Sequence, residues 1–153
     1  MKALLVSIST GLLLAAGLCA VRAAENLELR DGISFYQDID VGFPIVAQKM
    51  DDFSSDPGKR TFIFFGASGD LNTSRQARRV VDAYQRFKDQ PIKFVLIDVD
   101  HAAAGQPRDL LKRYYSGYIP CEVIIDSGGK LLWSQNGEVD QKVLQTRLEA
   151  ALR

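Results

Sequence analysis

The chain is poor in the residues that carry most covalent and metal chemistry. It has 153 residues but only two cysteines, Cys19 and Cys121, and one histidine, His101. If Cys19 leaves with an N-terminal leader, Cys121 stands alone and no internal disulfide can form. An exported protein of this size then rests on its hydrophobic core rather than on a covalent staple. The formal net charge is zero, and no Lys/Arg cluster is interleaved with aromatics, which excludes the electrostatic footprint of a nucleic-acid binder. There is no internal repeat and no low-complexity segment. Residues that are 46% hydrophobic and 25% charged give the make-up of one globular domain with a core of its own.

The N-terminus reads as a targeting segment, residues 1–23, ahead of a single domain over 24–153. Lys2 provides a short positive region, Ala3 to Ala20 is almost continuously apolar, and Val21-Arg22-Ala23 places small residues at the −3 and −1 positions of a cleavage site. Leu4 to Val21 approaches the length of a membrane span, so an uncleaved anchor is the alternative; Ser7, Ser9, Thr10 and Gly11 interrupt it. Leu18 before Cys19 does not suit a lipoprotein signal, which wants a small side chain there. Cleavage would leave 17 basic groups against 19 acidic, a formal charge of −2. The expected location is outside the cytoplasm: periplasmic in a Gram-negative bacterium, secreted otherwise, membrane-anchored if the segment is retained. After cleavage no stable membrane insertion is expected.

The domain is organised around Thr61 to Ser74, TFIFFGASGDLNTS. Thr61 to Phe65 is an unbroken apolar, β-prone run closed by Gly66, the pattern of a strand buried on both faces. Gly66-Ala67-Ser68-Gly69 makes a small-residue turn, Asp70 supplies an N-cap carboxylate, and Leu71 to Phe87 carries apolar residues at helical spacing. A buried strand that ends at a helix N-terminus creates a crevice where unpaired N–H groups favour an anion.

Around this unit, Glu25 to Asp31 reads as a loose lead-in, Ile33 to Tyr36 as a short strand and Phe43 to Phe53 as a helix with Pro44 in its first turn. Ile92 to Val99 is a second buried strand, Pro107 to Tyr115 a helix, and Cys121 to Asp126 a strand. Ser127-Gly128-Gly129-Lys130 turns into a strand over Leu131 to Ser134, and Val139 to Leu152 is a terminal amphipathic helix. The order β-α-β-α-β-α-β-β-α implies an α/β fold: a mixed, partly parallel central sheet covered on both faces, a three-layer α/β/α sandwich.

In that order, FFGAS leading into a helix, YIPCEVIID and the hairpin DSGGKLLWSQNG resemble the thioredoxin superfamily from about Ile33 to Leu152. The resemblance implies the fold, and it implies that Ile119-Pro120 is the family's cis-proline loop. It does not carry the chemistry. The family's Cys-x-x-Cys falls on Asp70 and Thr73, its preceding tryptophan on Gly69, its buried acid on Phe64, and the proline that kinks the motif helix on Arg78. The resemblance therefore points to a thioredoxin-like domain with a degenerate active site. In it, Ser68, Gly69, Asp70, Thr73, Ile119 and Pro120 would frame a groove for an extended peptide or a protein partner. No cofactor and no metal are expected.

The candidate residues have competing readings. Asp70 is a helix cap, held as the anion and so a poor proton donor, or an acid–base group. Ser68 in GASGD approaches the nucleophile elbow G-x-S-x-G, but Asp70 stands where the last glycine belongs and only one histidine could serve as base. His101 follows Asp98 and Asp100 at a strand exit; strand alternation turns the acids to one face and His101 away, which disfavours a metal site. Arg75, Arg78 and Arg79 form either a solvated helix face or a surface for an acidic partner. Cys121 is the remaining nucleophile. It is an inert buried thiol opening a strand beside Glu122, or, as the alternative function, the single working thiol of a redox protein exchanging with glutathione or a partner cysteine.

Overall fold

The computed structural model describes residues 25–38, 42–48 and 58–153. In chain order these form β1 (Glu25–Leu29), β2 (Ile45–Gln48), β3 (Arg60–Gly66), α1 (Leu71–Phe87), β4 (Ile92–Asp98), α2 (Gln106–Tyr114), β5 (Cys121–Ile125), β6 (Leu131–Asn136) and α3 (Gln141–Ala151). The main sheet has the order β4-β3-β5-β6, with β3 and β4 parallel and the other neighbours antiparallel.

Strand alternation splits the central strands into two cores. Phe62 and Phe64 of β3 join Phe94 and Leu96 of β4 and Ile124 of β5 under α1 and α3, meeting Ala77, Val80, Leu144 and Leu148. Ile63, Phe65, Val95, Ile97, Cys121 and Val123 form the opposite face, covered by Leu110, Leu111 and Tyr114 of α2. This is the α/β/α sandwich expected from the order of elements. Phe62, Phe64 and Phe65 are fully buried, and each stabilises the fold by about 1.5–3 kcal/mol relative to an exposed ring. Helix α1 runs over the expected Leu71–Phe87, and Asp70 caps it by accepting from the Thr73 N–H at 2.6 Å.

The N-terminal elements differ from expectation. Ile33 to Tyr36 is not a strand; the strand lies earlier, in Glu25–Leu29, where Leu27 is fully buried between exposed Asn26 and Glu28. Nor does Phe43 begin a helix: Ile45–Gln48 is β2, antiparallel to β1, while 49–53 lie outside the described residues. This small hairpin lays Leu27 and Ile45 on the α1 side of the core, and the Asn26 N–H donates to the Tyr84 hydroxyl at 2.9 Å. Pairing and burial override the helical reading of a segment too short for periodicity to decide. The targeting segment also falls outside the described residues. Among those described, no helix is long and apolar enough to cross a membrane.

Candidate functional site

The ladder brings the two halves of the expected groove toward each other. Phe65 sits opposite Cys121 in the antiparallel β3/β5 pair, and the chain reaches Cys121 through Ile119 and Pro120. Both therefore approach the stretch that leaves β3 at Gly66 and runs through Ser68 and Gly69 to Asp70. The Ile119–Pro120 peptide bond is cis. Pro120 is buried, with its carbonyl accepting from the Gly137 N–H at 2.8 Å. Ile119 is half-buried, and its backbone N–H and C=O make no hydrogen bond among the described residues.

On the helix side, the turn is built by close approach. A Cβ at Gly66 would overlap the Thr73 methyl group, so only glycine lets the first turn of α1 seat against the end of β3. Thr73 Oγ1 accepts from the Ala67 N–H at 3.3 Å. Thr73 is consequently fully buried, and the expectation that its side chain lines the groove is corrected: it locks the turn from inside. Gly69 has a φ of 79°, a left-handed conformation that disfavours the large aromatic side chain the thioredoxin pattern would place there.

The helix N-terminus does not stand open for an external anion. Asp70 takes the Thr73 N–H, and Asp38 Oδ1 accepts from the Leu71 N–H at 2.9 Å. Residues 34–38 are drawn across this end of α1. Arg75 Nε donates to the Phe35 carbonyl at 3.1 Å, and the Arg78 guanidinium lies 4.0 Å from the Phe35 ring centroid. Arg79 and Arg75 also approach Glu138, at 2.9 and 3.7 Å. The three arginines are thus engaged within the chain.

Ser68, Asp98 and His101 meet at the exits of β3 and β4, but in an order that does not suit a serine nucleophile. Ser68 Oγ donates to Asp98 Oδ2 at 2.6 Å, and His101 Nδ1 lies 3.0 Å from the same oxygen. The carboxylate separates the hydroxyl from the imidazole, whereas nucleophile activation requires the base beside the hydroxyl. The expectation that His101 turns away from the acids is also corrected. Burial raises the Asp98 carboxyl, but hydrogen bonds from Ser68, His101 and the Asp100 N–H outweigh it and hold the group below its ordinary 3.8. Among the described residues, no three His, Cys, Asp or Glu side chains gather as metal ligands.

Cys121 opens β5 on the face away from α1, packed with Ile63, Phe65 and Val123, and is 1% exposed. It borders a cavity of about 220 Å³ with Tyr114, Ser116 and Asn136. Burial pushes its thiol above the ordinary 9.0 and the nearby Glu122 charge adds to this, while hydrogen bonds at Ser116 oppose it only in part. A nucleophilic thiol needs the reverse environment.

Glu122, its neighbour, points to the other face and is fully buried. Gln76 Nε2 donates to Glu122 Oε1, while Gln76 Oε1 accepts from Arg79 at 2.8 Å and from the Val139 N–H at 3.0 Å. The bonds from Arg79 and Val139 orient the amide so that its NH2 meets the carboxyl. Glu122 Oε2 has no hydrogen-bond partner among the described residues. Burial drives the group up to about 8 against the lowering effects of Gln76 and Arg79, so it is protonated at neutral pH. By its resemblance to the thioredoxin pattern, the chain has Phe64 where the family's acid belongs. The structure places a buried carboxyl directly across the ladder from Phe64, on β5. The signal for it was a lone acid inside the apolar run CEVII, where alternation puts residue 122 on the α1 face.

No protein-family model matches the chain, and no curated protein does. Solved structures do. A thioredoxin from Halobacterium salinarum superimposes with a TM-score of 0.54 at 17% identity, over 67% of this chain and 82% of that one. A structure concerned with thiol resolution in a yeast mitochondrial 1-Cys peroxiredoxin through the glutathione and thioredoxin systems gives 0.51 at 18%, over 63% and 82%. A thioredoxin from Trypanosoma brucei brucei gives 0.50 at 20%, over 60% and 74%. The chain has a thioredoxin-like fold.

Proposed function

We propose that this is an exported thioredoxin-fold protein without dithiol redox activity, a binding or scaffold module that holds an extended peptide or protein segment beside Ile119. The observation that carries the reading is the free Ile119 backbone. Among the described residues its one donor and one acceptor are unpaired, next to the turn of Ser68, Gly69 and Asp70, which is what a strand-like ligand needs for main-chain pairing. The helix start offers no competing chemistry. Asp70 stands where the dithiol would begin and serves as a cap, and Cys121 is buried with its thiol pKa raised. The groove wall in this reading consists of Ser68, Gly69, Asp70 and Ile119, with Pro120 and Thr73 behind it. Export rests on the N-terminal residues 1–23 and their cleavage pattern.

The test has two arms. The purified protein is assayed for catalytic reduction of insulin, and the accessibility of Cys121 is measured with an aromatic disulfide reagent before and after denaturation. The expected result is no turnover, with labelling of the native protein much slower than of the unfolded chain. Turnover that vanishes in Cys121→Ser would establish the single-thiol alternative. For the groove, a photo-cross-linking residue at position 119 should capture a partner segment that the same residue at exposed Lys112 does not; equal capture at both positions would overturn the assignment.

A further inference from the structure

A cavity of about 360 Å³ lies at the other end of the molecule, between β6 and the C-terminal turn of α3. Its floor is apolar, formed by Ile124, Ala150 and Ala151, and Trp133 and Leu132 make one wall. Three arginines line it, Arg60, Arg147 and Arg153, against one acidic side chain, Asp126, whose carboxylate is stabilised in part by the charge of Arg60. Arg60 is held by its Nε, which donates to the Ala151 carbonyl at 3.0 Å, leaving its terminal NH2 groups for other acceptors. Asp126 Oδ1 is engaged by the Gly128 and Lys130 N–H groups, at 2.9 and 2.8 Å, in the β5–β6 turn. Arg147 and Arg153 form no ion pair among the described residues, whereas Arg75, Arg79 and Arg86 all face glutamates. Gathering like charges around an apolar cavity is unfavourable by itself, and an anion between them would relieve it.

A second observation points to the form of that anion. β6 is the edge of the main sheet, and no strand lies beyond it among the described residues. The edge has no proline and no charged residue from Leu131 to Asn136, Leu131 and Leu132 are 50% and 44% exposed, and its one protection is the irregularity at Leu132 near its start. The register shift between Ile124 and Ile125 disturbs the start of β6, so regular pairing is available along Trp133–Asn136, next to the cavity.

We propose that the β6 edge and the arginine-lined cavity form one docking site for an acidic, extended segment of a partner protein. The segment adds a strand along Trp133–Asn136, seats a carboxylate side chain between Arg147 and Arg60, and rests an apolar side chain on Leu132. Its cavity lies at the end of the sheet away from Ile119, while the strand runs from there to Asn136, opposite Cys121, and it requires no reactive thiol.

The chain has one tryptophan, Trp133, and it lines the site, so its fluorescence reports occupancy directly. The probe is a capped hexapeptide of alternating valine and glutamate, titrated into the purified protein, with amide hydrogen exchange of β6 measured in parallel. The expected result is a saturable change in fluorescence, with affinity falling about tenfold between low and physiological salt and protection appearing at Trp133–Asn136. A peptide with glutamine in place of glutamate should bind about tenfold more weakly, and Arg147→Glu should weaken the acidic peptide by at least about tenfold with an unchanged far-UV spectrum. Arg147→Gln should fall between the two. The proposal is overturned if the acidic peptide leaves Trp133 unaffected at millimolar concentration, or if the glutamine peptide binds as well. It is equally overturned if glutarate alone reproduces the fluorescence change while the peptide leaves the β6 amides unprotected, which would make the cavity a simple anion pocket.

Discussion

Glu122 offers the sharpest quantitative test of this structure. Its carboxyl is raised from 4.5 to about 8, chiefly by burial, with Gln76 on one oxygen and no partner for the other among the described residues. Between those two values the folded protein keeps the proton and the unfolded chain has lost it. The stability contributed by the neutral acid is therefore fully present below about pH 4.5, falls by roughly 1.4 kcal/mol per pH unit, and is gone above about pH 8. The loss over the window is on the order of 5 kcal/mol, a large part of the stability of a typical domain. Glu122→Gln mimics the protonated acid in shape and keeps an oxygen for Gln76, so it should remove this dependence. Urea unfolding of both proteins from pH 5 to pH 8 is the assay. The two should be similar near pH 5 and diverge steadily, the variant being the more stable by a few kcal/mol at pH 8. Taking the difference cancels the titration of Asp98, Asp126, Tyr115 and the other groups common to both proteins. A difference that stays constant across the range would refute the buried, neutral Glu122.

Three further outcomes follow from the site. Asp70→Ala should destabilise the protein by about 1 kcal/mol in thermal or urea unfolding, and Asp70→Asn by less, because the amide oxygen still accepts from the Thr73 N–H. Gly66→Ala should cost about 1–3 kcal/mol, since its methyl group overlaps that of Thr73, and relief of the clash in the double variant Gly66→Ala with Thr73→Ser should show as a non-additive recovery. Asp98, held below 3.8 by Ser68 and His101, contributes stability that is present above pH 3.8 and lost as the pH falls through its folded value. Asp98→Asn should therefore flatten the acid limb of the stability profile, measured by urea unfolding below pH 4, and leave its alkaline limb unchanged.

Local pattern was sufficient for β3, α1, β4, β5 and α3, and for the cap at Asp70. Each is a long run whose hydrophobic period, turn residues and capping residue agree, so neighbouring residues carry the information. From those elements the α/β sandwich and the thioredoxin-like order were legible. The β1–β2 hairpin was not, because a four-residue IVAQ becomes a strand only when β1 pairs with it and Tyr84 and the α1 face receive it. The site divided in the same way. Asp70 as a cap is a local fact, three residues from the N–H it binds. The burial of Thr73 behind Gly66, the Ser68–Asp98–His101 order, the Asp38 contact at the helix start and the neutral acid at Glu122 each join segments brought together only by folding. In the sequence Glu122 stood out only as the carboxylate beside Cys121; strand alternation puts the two on opposite faces, but it cannot tell that Gln76, 46 residues away, meets Glu122, or that its second oxygen finds no partner among the described residues. Periodicity along a chain specifies which face a side chain takes, and only tertiary packing decides what stands on that face to pair with it, desolvate it or leave it open.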